Sequence, residues 1–205
     1  MKLGILADVH EQLDFLRRAL AVFEREGVEQ VVVLGDVYEL GLRIGETAAL
    51  LESAGAVGVW GNHDFGLCSN PTEEFRQQYG DRAVEVMSRF GPRLEIADCL
   101  FTHVEPWLDP ERIEDLWYFE GAPDTPDRVA QSFAAVPQRV LFVGHFHRWF
   151  LASASGLHPW DGRAAVTLDP PSRFLVGVHA VVDGRCAVYE TGSGLLVPFD
   201  LNEGR

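Results

Sequence analysis

Five short clusters in this 205-residue chain carry side chains able to do chemistry: Asp8-Val9-His10, Gly35-Asp36, Gly61-Asn62-His63-Asp64, Thr102-His103 and Gly144-His145-Phe146-His147. Histidine nitrogens and carboxylate oxygens are the usual donors for Zn, Fe and Mn. Five of the seven histidines fall in these clusters; His158 and His179 lie outside and take no role. Taken singly, each cluster has a plain structural explanation. Asp8 is a suitable helix cap, Gly35-Asp36 a turn, Gly61–Asp64 a self-bonded loop, and His103 an ordinary surface or core histidine. Together and in order, they are far better explained as one metal-binding site. An Asp-x-His or His-x-His pair at a strand end is expected to put both side chains on one side, because strand periodicity is two.

Each cluster directly follows an apolar run, and these runs must position it. Lys2–Ala7, Gln30–Leu34 and Ala56–Trp60 are expected as strands, separated by helices over His10–Glu26 and Gly45–Ala54. Gly27 and Gly55 act as stop signals for the two helices. This β-α-β-α-β order predicts a parallel sheet with helices packed on it. Further on, Pro71–Phe90 is expected to be helical, Arg93–Ala97 and Cys99–Thr102 to be strands, and Asp127–Ala135 a helix ended by Pro137. Arg139–Val143 is expected as another strand, and Val181–Arg185 as a hairpin turn, since Asp183-Gly184 tolerates positive φ. Ligands in open α/β folds bind at the carboxyl ends of strands, which is where all five clusters fall.

Composition narrows the function classes. A length of 205 residues fits one domain spanning 1–205. The net charge of −14 disfavours general nucleic-acid binding or an anionic membrane. Cys68, Cys99 and Cys186 have no paired spacing, so free buried thiols in a reducing cytoplasm are expected. Neither a signal peptide nor a membrane-spanning run is evident, and the expected location is cytoplasmic.

The order D-x-H, G-D, G-N-H-D, a lone His and G-H-x-H resembles the calcineurin-like metallophosphoesterase superfamily, above all its small bacterial phosphodiesterase-like branch. The resemblance spans Asp8 to His147. It implies an α/β (α+β) fold, a four-layer α-β-β-α sandwich. It also implies a metal-dependent phosphoester hydrolase, phosphodiesterase or phosphatase, with a binuclear centre and a metal-activated hydroxide. By the same resemblance Asp8, His10 and His147 hold one ion, Asn62, His103 and His145 hold the other, and Asp36 bridges. His63 faces the substrate phosphate and its leaving group, and Asp64 orients that part of the site or stabilises its turn. The cofactors implied are two divalent transition-metal ions, Mn, Fe, Zn or Ni. The implied partner is a phosphoester, either a small molecule or a nucleotide.

Two departures stand out. Glu39 and Leu40 occupy the positions where the superfamily's protein phosphatases carry Asp and a phosphate-binding Arg. Leu168–Ser172 replaces the Asn-Pro-Gly-Ser turn of the small branch. The rival expectation is a non-catalytic protein-binding scaffold of the same fold. The complete ligand set disfavours it. Specificity is expected from the loops Phe65–Asn70 and Glu105–Gly121. The second contains Trp107, Trp117, Tyr118 and Phe119, placed either to stack on a base or aryl group or to pin the loop.

Overall fold

Alternation along β1 (Lys2–Leu6) sends Leu3 and Ile5 to one face and Leu6 to the other, and each face meets a different core. β2 (Gln30–Leu34) does the same, with Val32 and Leu34 on one side and Val31 and Val33 on the other. A sheet with two apolar faces must be covered twice, and a second sheet and a helical layer do so. The structure is a computed structural model and describes residues 1–202.

The first sheet runs in the order β3 (Val57–Val59), β2, β1, β11 (Arg185–Glu190), β12 (Leu195–Asp200), β9 (Val166–Thr167). Its members β1, β2 and β3 are parallel, as the β-α-β-α-β pattern requires. The second sheet runs β4 (Leu94–Ile96), β5 (Cys99–Thr102), β6 (Val140–Val143), β10 (Phe174–Gly177), β7 (Phe150–Ser153), β8 (Gly156–Leu157). Between the sheets lies a core of Leu3, Ile5, Val32, Leu34, Phe101, Phe142, Val176 and Tyr189, with Phe101 stacked on Phe142 at 5.2 Å. Helices α1 (Leu13–Glu26), α2 (Ile44–Ser53), α3 (Phe65–Ser69) and α5 (Asp81–Met87) cover the outer face of the first sheet through Leu16, Phe23, Leu51, Leu67 and Met87. α6 (Pro126–Ala135) covers the outer face of the second through Val129 and Phe133. The result is the four-layer α-β-β-α sandwich. Cys68, Cys99 and Cys186 are buried free thiols.

Three local expectations need correction. α1 starts at Leu13 and not at His10, because His10 and Glu11 sit in left-handed backbone conformation (φ 44° and 56°). The Pro71–Phe90 segment is two helices, α4 (Glu73–Tyr79) and α5, broken at Gly80 with φ 87°. Asp183-Gly184 does not close a hairpin. Val181–Asp183 is a 3-10 turn joining β10 of one sheet to β11 of the other, and Gly184 (φ 75°) caps that turn. No helix among the described residues is long and apolar enough to cross a membrane.

Candidate metal centre

The carboxyl ends of five strands meet at one edge of the sandwich. Asp8 and His10 follow β1, Asp36 follows β2, and Asn62 and His63 follow β3 in the first sheet; His103 follows β5, and His145 and His147 follow β6 in the second. Strand periodicity does not orient these side chains. Asp8, His10, Asp36, His145 and His147 have φ of 50°, 44°, 52°, 69° and 48°, a left-handed region that L residues rarely occupy. Such conformations persist only where surrounding structure enforces them, and they concentrate at functional sites.

One consequence runs against the same-side expectation. His145 and His147 diverge into two groups. Donor atoms of Asp8, His10 and His147 lie within 4.8 Å of one another, and so do those of Asp36, His103 and His145. His10 Nε2 is 3.4 Å from His147 Nε2, and His147 Nε2 is 3.6 Å from Asp8 Oδ1. In the second group, His103 Nε2 is 2.9 Å from Asn62 Oδ1 and 3.1 Å from His145 Nδ1, while His145 Nδ1 is 3.0 Å from Asn62 Oδ1. Asp36 lies between the groups, with Oδ2 3.3 Å from His103 Nε2 and 3.9 Å from His10 Nε2. Donors bonded at about 2.0–2.1 Å to one tetrahedral ion stand about 3.3 Å apart, so this crowding of nitrogens and oxygens fits metal ligation.

Outer contacts aim the rings. His103 donates from Nδ1 to the Leu34 carbonyl (2.7 Å), and Asp183 Oδ2 lies 3.6 Å from His147 Nδ1. Glu39 Oε2 is 2.6 Å from His10 Nδ1, off its N–H direction, and 3.6 Å from His63 Nδ1. The contacts on His103, His147 and His10 leave the other ring nitrogen free to ligate. Asp8 is held by the His145 backbone N–H, 3.1 Å from both its oxygens, and Asp36 by the His63 N–H at 3.0 Å. The glycines permit the close approach. A Cβ on Gly61 would stand 2.1 Å from Asp36 Oδ1, and one on Gly35 would stand 2.6 Å from His103 Nδ1.

Electrostatics point the same way. Asp8, Asp36, His103 and His145 are all buried. Burial pushes the Asp8 pKa well up and that of Asp64 to about 6. Asp36 is held below its usual range, because His103 and His63 outweigh its burial. Burial and the neighbouring His103 lower His145 to about 3, keeping it neutral. Buried carboxylates crowded against imidazoles form a cage whose cost a divalent cation would offset.

A sequence profile of the calcineurin-like phosphoesterase superfamily domain matches residues 1–160. The chain belongs to that superfamily. Among its relatives, an uncharacterized protein of Methanocaldococcus jannaschii is 25% identical over 198 residues, covering 87% of this chain and 75% of that one. A phosphodiesterase of the same organism is 37% identical over 68 residues, covering 33% and 39% of the two chains. Among solved structures, a metallophosphoesterase from Sphaerobacter thermophilus superposes with a TM-score of 0.79 at 21% identity, covering all of this chain and 89% of that one. An archaeal phosphodiesterase superposes with a TM-score of 0.57 at 18% identity, covering 97% and 99%. These two likenesses show the fold. Beyond the profile's match, β9 to β12 complete both sheets of the phosphoesterase sandwich, β11 lying beside β1 and β10 beside β6.

His63 lines the cavity over the two groups, and Asp64 does not. Asp64 is fully buried, and its carboxylate accepts the backbone N–H groups of Val37 (3.2 Å), Tyr38 (2.8 Å) and Gly61 (3.2 Å). It ties the Asp36 loop to the Asn62 loop. His158 bonds Ser153, and His179 lies 3.7 Å from Asp183, outside both groups.

Glu11 and Glu39 take part at the site without belonging to any of the five clusters. Buried Glu11 accepts the N–H groups of Glu39 (3.0 Å), Gly41 (2.6 Å) and Arg43 (2.7 Å), and so shapes the loop that carries Glu39. Its identity was visible in the stretch His10-Glu11-Gln12-Leu13, but its partners lie 28 to 32 residues away. Glu11→Ala is expected to destabilise the fold by about 2–3 kcal/mol, since several N–H groups lose a charged acceptor at once. Chemical denaturation checks this, and a change below about 0.5 kcal/mol would contradict it.

The ion pair of His103 and Asp36 makes the metal-free protein pH-sensitive. Burial works to lower the His103 pKa, but Asp36 outweighs it and holds it at about 9, above the ordinary 6.5. A raised pKa contributes stability that is fully present below about pH 6.5 and lost as pH rises through about 9. Chelator-treated protein should therefore melt at falling temperature across that window. Metal-loaded protein should not, because ligation would already hold His103 neutral. Parallel pH dependences in the two forms would contradict the assignment.

Proposed function

We propose that this chain is a metal-dependent phosphoester hydrolase with a binuclear centre. The observation that carries the reading is the convergence of seven donor residues, from five strand ends, into two groups that share Asp36. Asp8, His10 and His147 would hold one ion, Asn62, His103 and His145 the other, and Asp36 both. Two divalent ions there would neutralise phosphoryl oxygens and acidify a water for in-line attack on phosphorus. The mixed nitrogen and oxygen set suits Mn, Fe, Zn or Ni.

The chain's own residues do the rest. His63 lines the open cavity, with 27% of its side chain exposed and its ring 4.9 Å from that of His10. Protonated, it would donate to the departing ester oxygen or steady the charge developing there. Glu39 Oε2 stands 3.6 Å from its Nδ1. Asp64 acts as a positioning residue through the backbone between Asp36 and Tyr38. The cavity measures about 520 Å³, ample for a nucleotide or another small phosphoester.

A panel of phosphomonoesters, phosphodiesters and nucleotides, each assayed with Mn, Fe, Zn, Ni and Mg, tests the reading. Chelator-sensitive hydrolysis restored by a transition metal is expected. No hydrolysis of any ester with any metal, by protein shown to carry its ions, would favour a binding role.

A further inference from the structure

The cavity over the metal ligands is lined by no Arg or Lys among the described residues. Its rim carries two aromatic rings instead. Trp117 and Phe119 line it and remain 49% and 58% exposed. Tyr118 between them turns the other way. Its ring lies edge-on to Trp107 at 5.5 Å and 5.0 Å from the Arg128 guanidinium, which is itself paired with buried Glu105. The loop is thus clamped from behind through Tyr118, and it presents the flanking residues in front. Trp117 stands 5.4 Å from the His63 ring, and Phe119 stacks at 4.3 Å and 25° on His145. The two rings are neighbours, 6.3 Å apart and tilted by 52°, one beside the proposed proton donor and one on the second ligand group.

An anionic substrate in this cavity meets no Arg or Lys, but it does meet Glu39. A phosphomonoester carries a charge near −2 at neutral pH, a diester only −1. The diester also carries two organic groups, and a planar one can cover an exposed ring. We propose that Trp117 and Phe119 form a stacking subsite for the planar group of a phosphodiester, an aryl group or a nucleobase, and that phosphodiesters of this kind are the substrate class. This rests on the hydrolase reading above and names its substrate. Stacking of a base on an aromatic side chain is worth roughly 1–3 kcal/mol, about five- to 150-fold in affinity.

The test uses the full chain loaded with Mn. Three diesters share a p-nitrophenolate leaving group and differ in the other ester: methyl, phenyl or thymidine 5′. The phenyl or thymidine diester should exceed the methyl diester in kcat/KM by about tenfold or more, and should exceed p-nitrophenyl phosphate as well. In the Trp117→Ala/Phe119→Ala double variant, the advantage over methyl should shrink to within about threefold, with metal content retained; Trp117→Phe should keep it. A thymidine preference identifies a nucleobase, and a phenyl preference alone identifies an aryl group. Equal rates for all three diesters, a faster monoester, or an advantage that survives the double substitution would each overturn the proposal.

A second arm measures calorimetric binding of AMP and ribose 5-phosphate, which share the phosphate and differ by the base. AMP should bind about tenfold tighter, and the double variant should erase the difference. Equal binding in the wild type overturns the subsite. If no ester turns over, the hydrolase reading fails, and this arm alone decides whether the rings stack.

Discussion

Asp36→Asn is expected to slow phosphoester turnover by about 10³-fold or more, a loss of ~4 kcal/mol of transition-state stabilisation. Asn62→Ala is expected to cost much less, on the order of 10- to 100-fold. The difference follows from position. Asp36 Oδ2 faces both donor groups, at 3.3 Å from His103 and 3.9 Å from His10, whereas Asn62 faces only His103 and His145. An amide at position 36 also removes the negative charge that would offset repulsion between two cations. Steady-state rates and elemental analysis of both variants check this. Equal losses of turnover, with one ion still bound in each, would contradict the bridging assignment.

His63→Ala is expected to keep both ions while slowing the chemical step by about 10²- to 10⁴-fold. His63 lines the open cavity, and only its backbone N–H engages Asp36. The loss should be greater for alkyl esters than for nitrophenyl esters, because a poor leaving group develops more charge on oxygen and depends more on a donor. Loss of an ion in the variant would make His63 a ligand. Equal slowing of both ester types would leave its place intact but reassign it to orienting the phosphate.

Much of this was legible in the sequence because metal chemistry is specific to residue type. Only a few side chains ligate, and Asp8, Asp36, Asn62, His103 and His145 each follow an apolar run that could hardly be anything but a strand. The apolar runs also defined β1, β2, β3, β5 and β6 to within a residue or two. What escaped depended on tertiary context. Strand periodicity alone set His145 and His147 on one side; left-handed backbone at both sends them to different groups, as the family resemblance implied. The Asp183-Gly184 turn has a sound local signal, but nothing nearby says that its two flanking strands belong to different sheets. The aromatic loop offered stacking and pinning as alternatives; the structure divides them by residue, Trp107 and Tyr118 pinning while Trp117 and Phe119 face the cavity.

The central claim is a pair of ions held by these seven residues, and an anomalous-scattering map of Mn-loaded crystals tests it most directly. The account predicts two peaks roughly 3.5–4 Å apart. Asp36 should lie between them, with Asp8, His10 and His147 around one and Asn62, His103 and His145 around the other. A single peak, or none within the cluster at saturating metal, would contradict it.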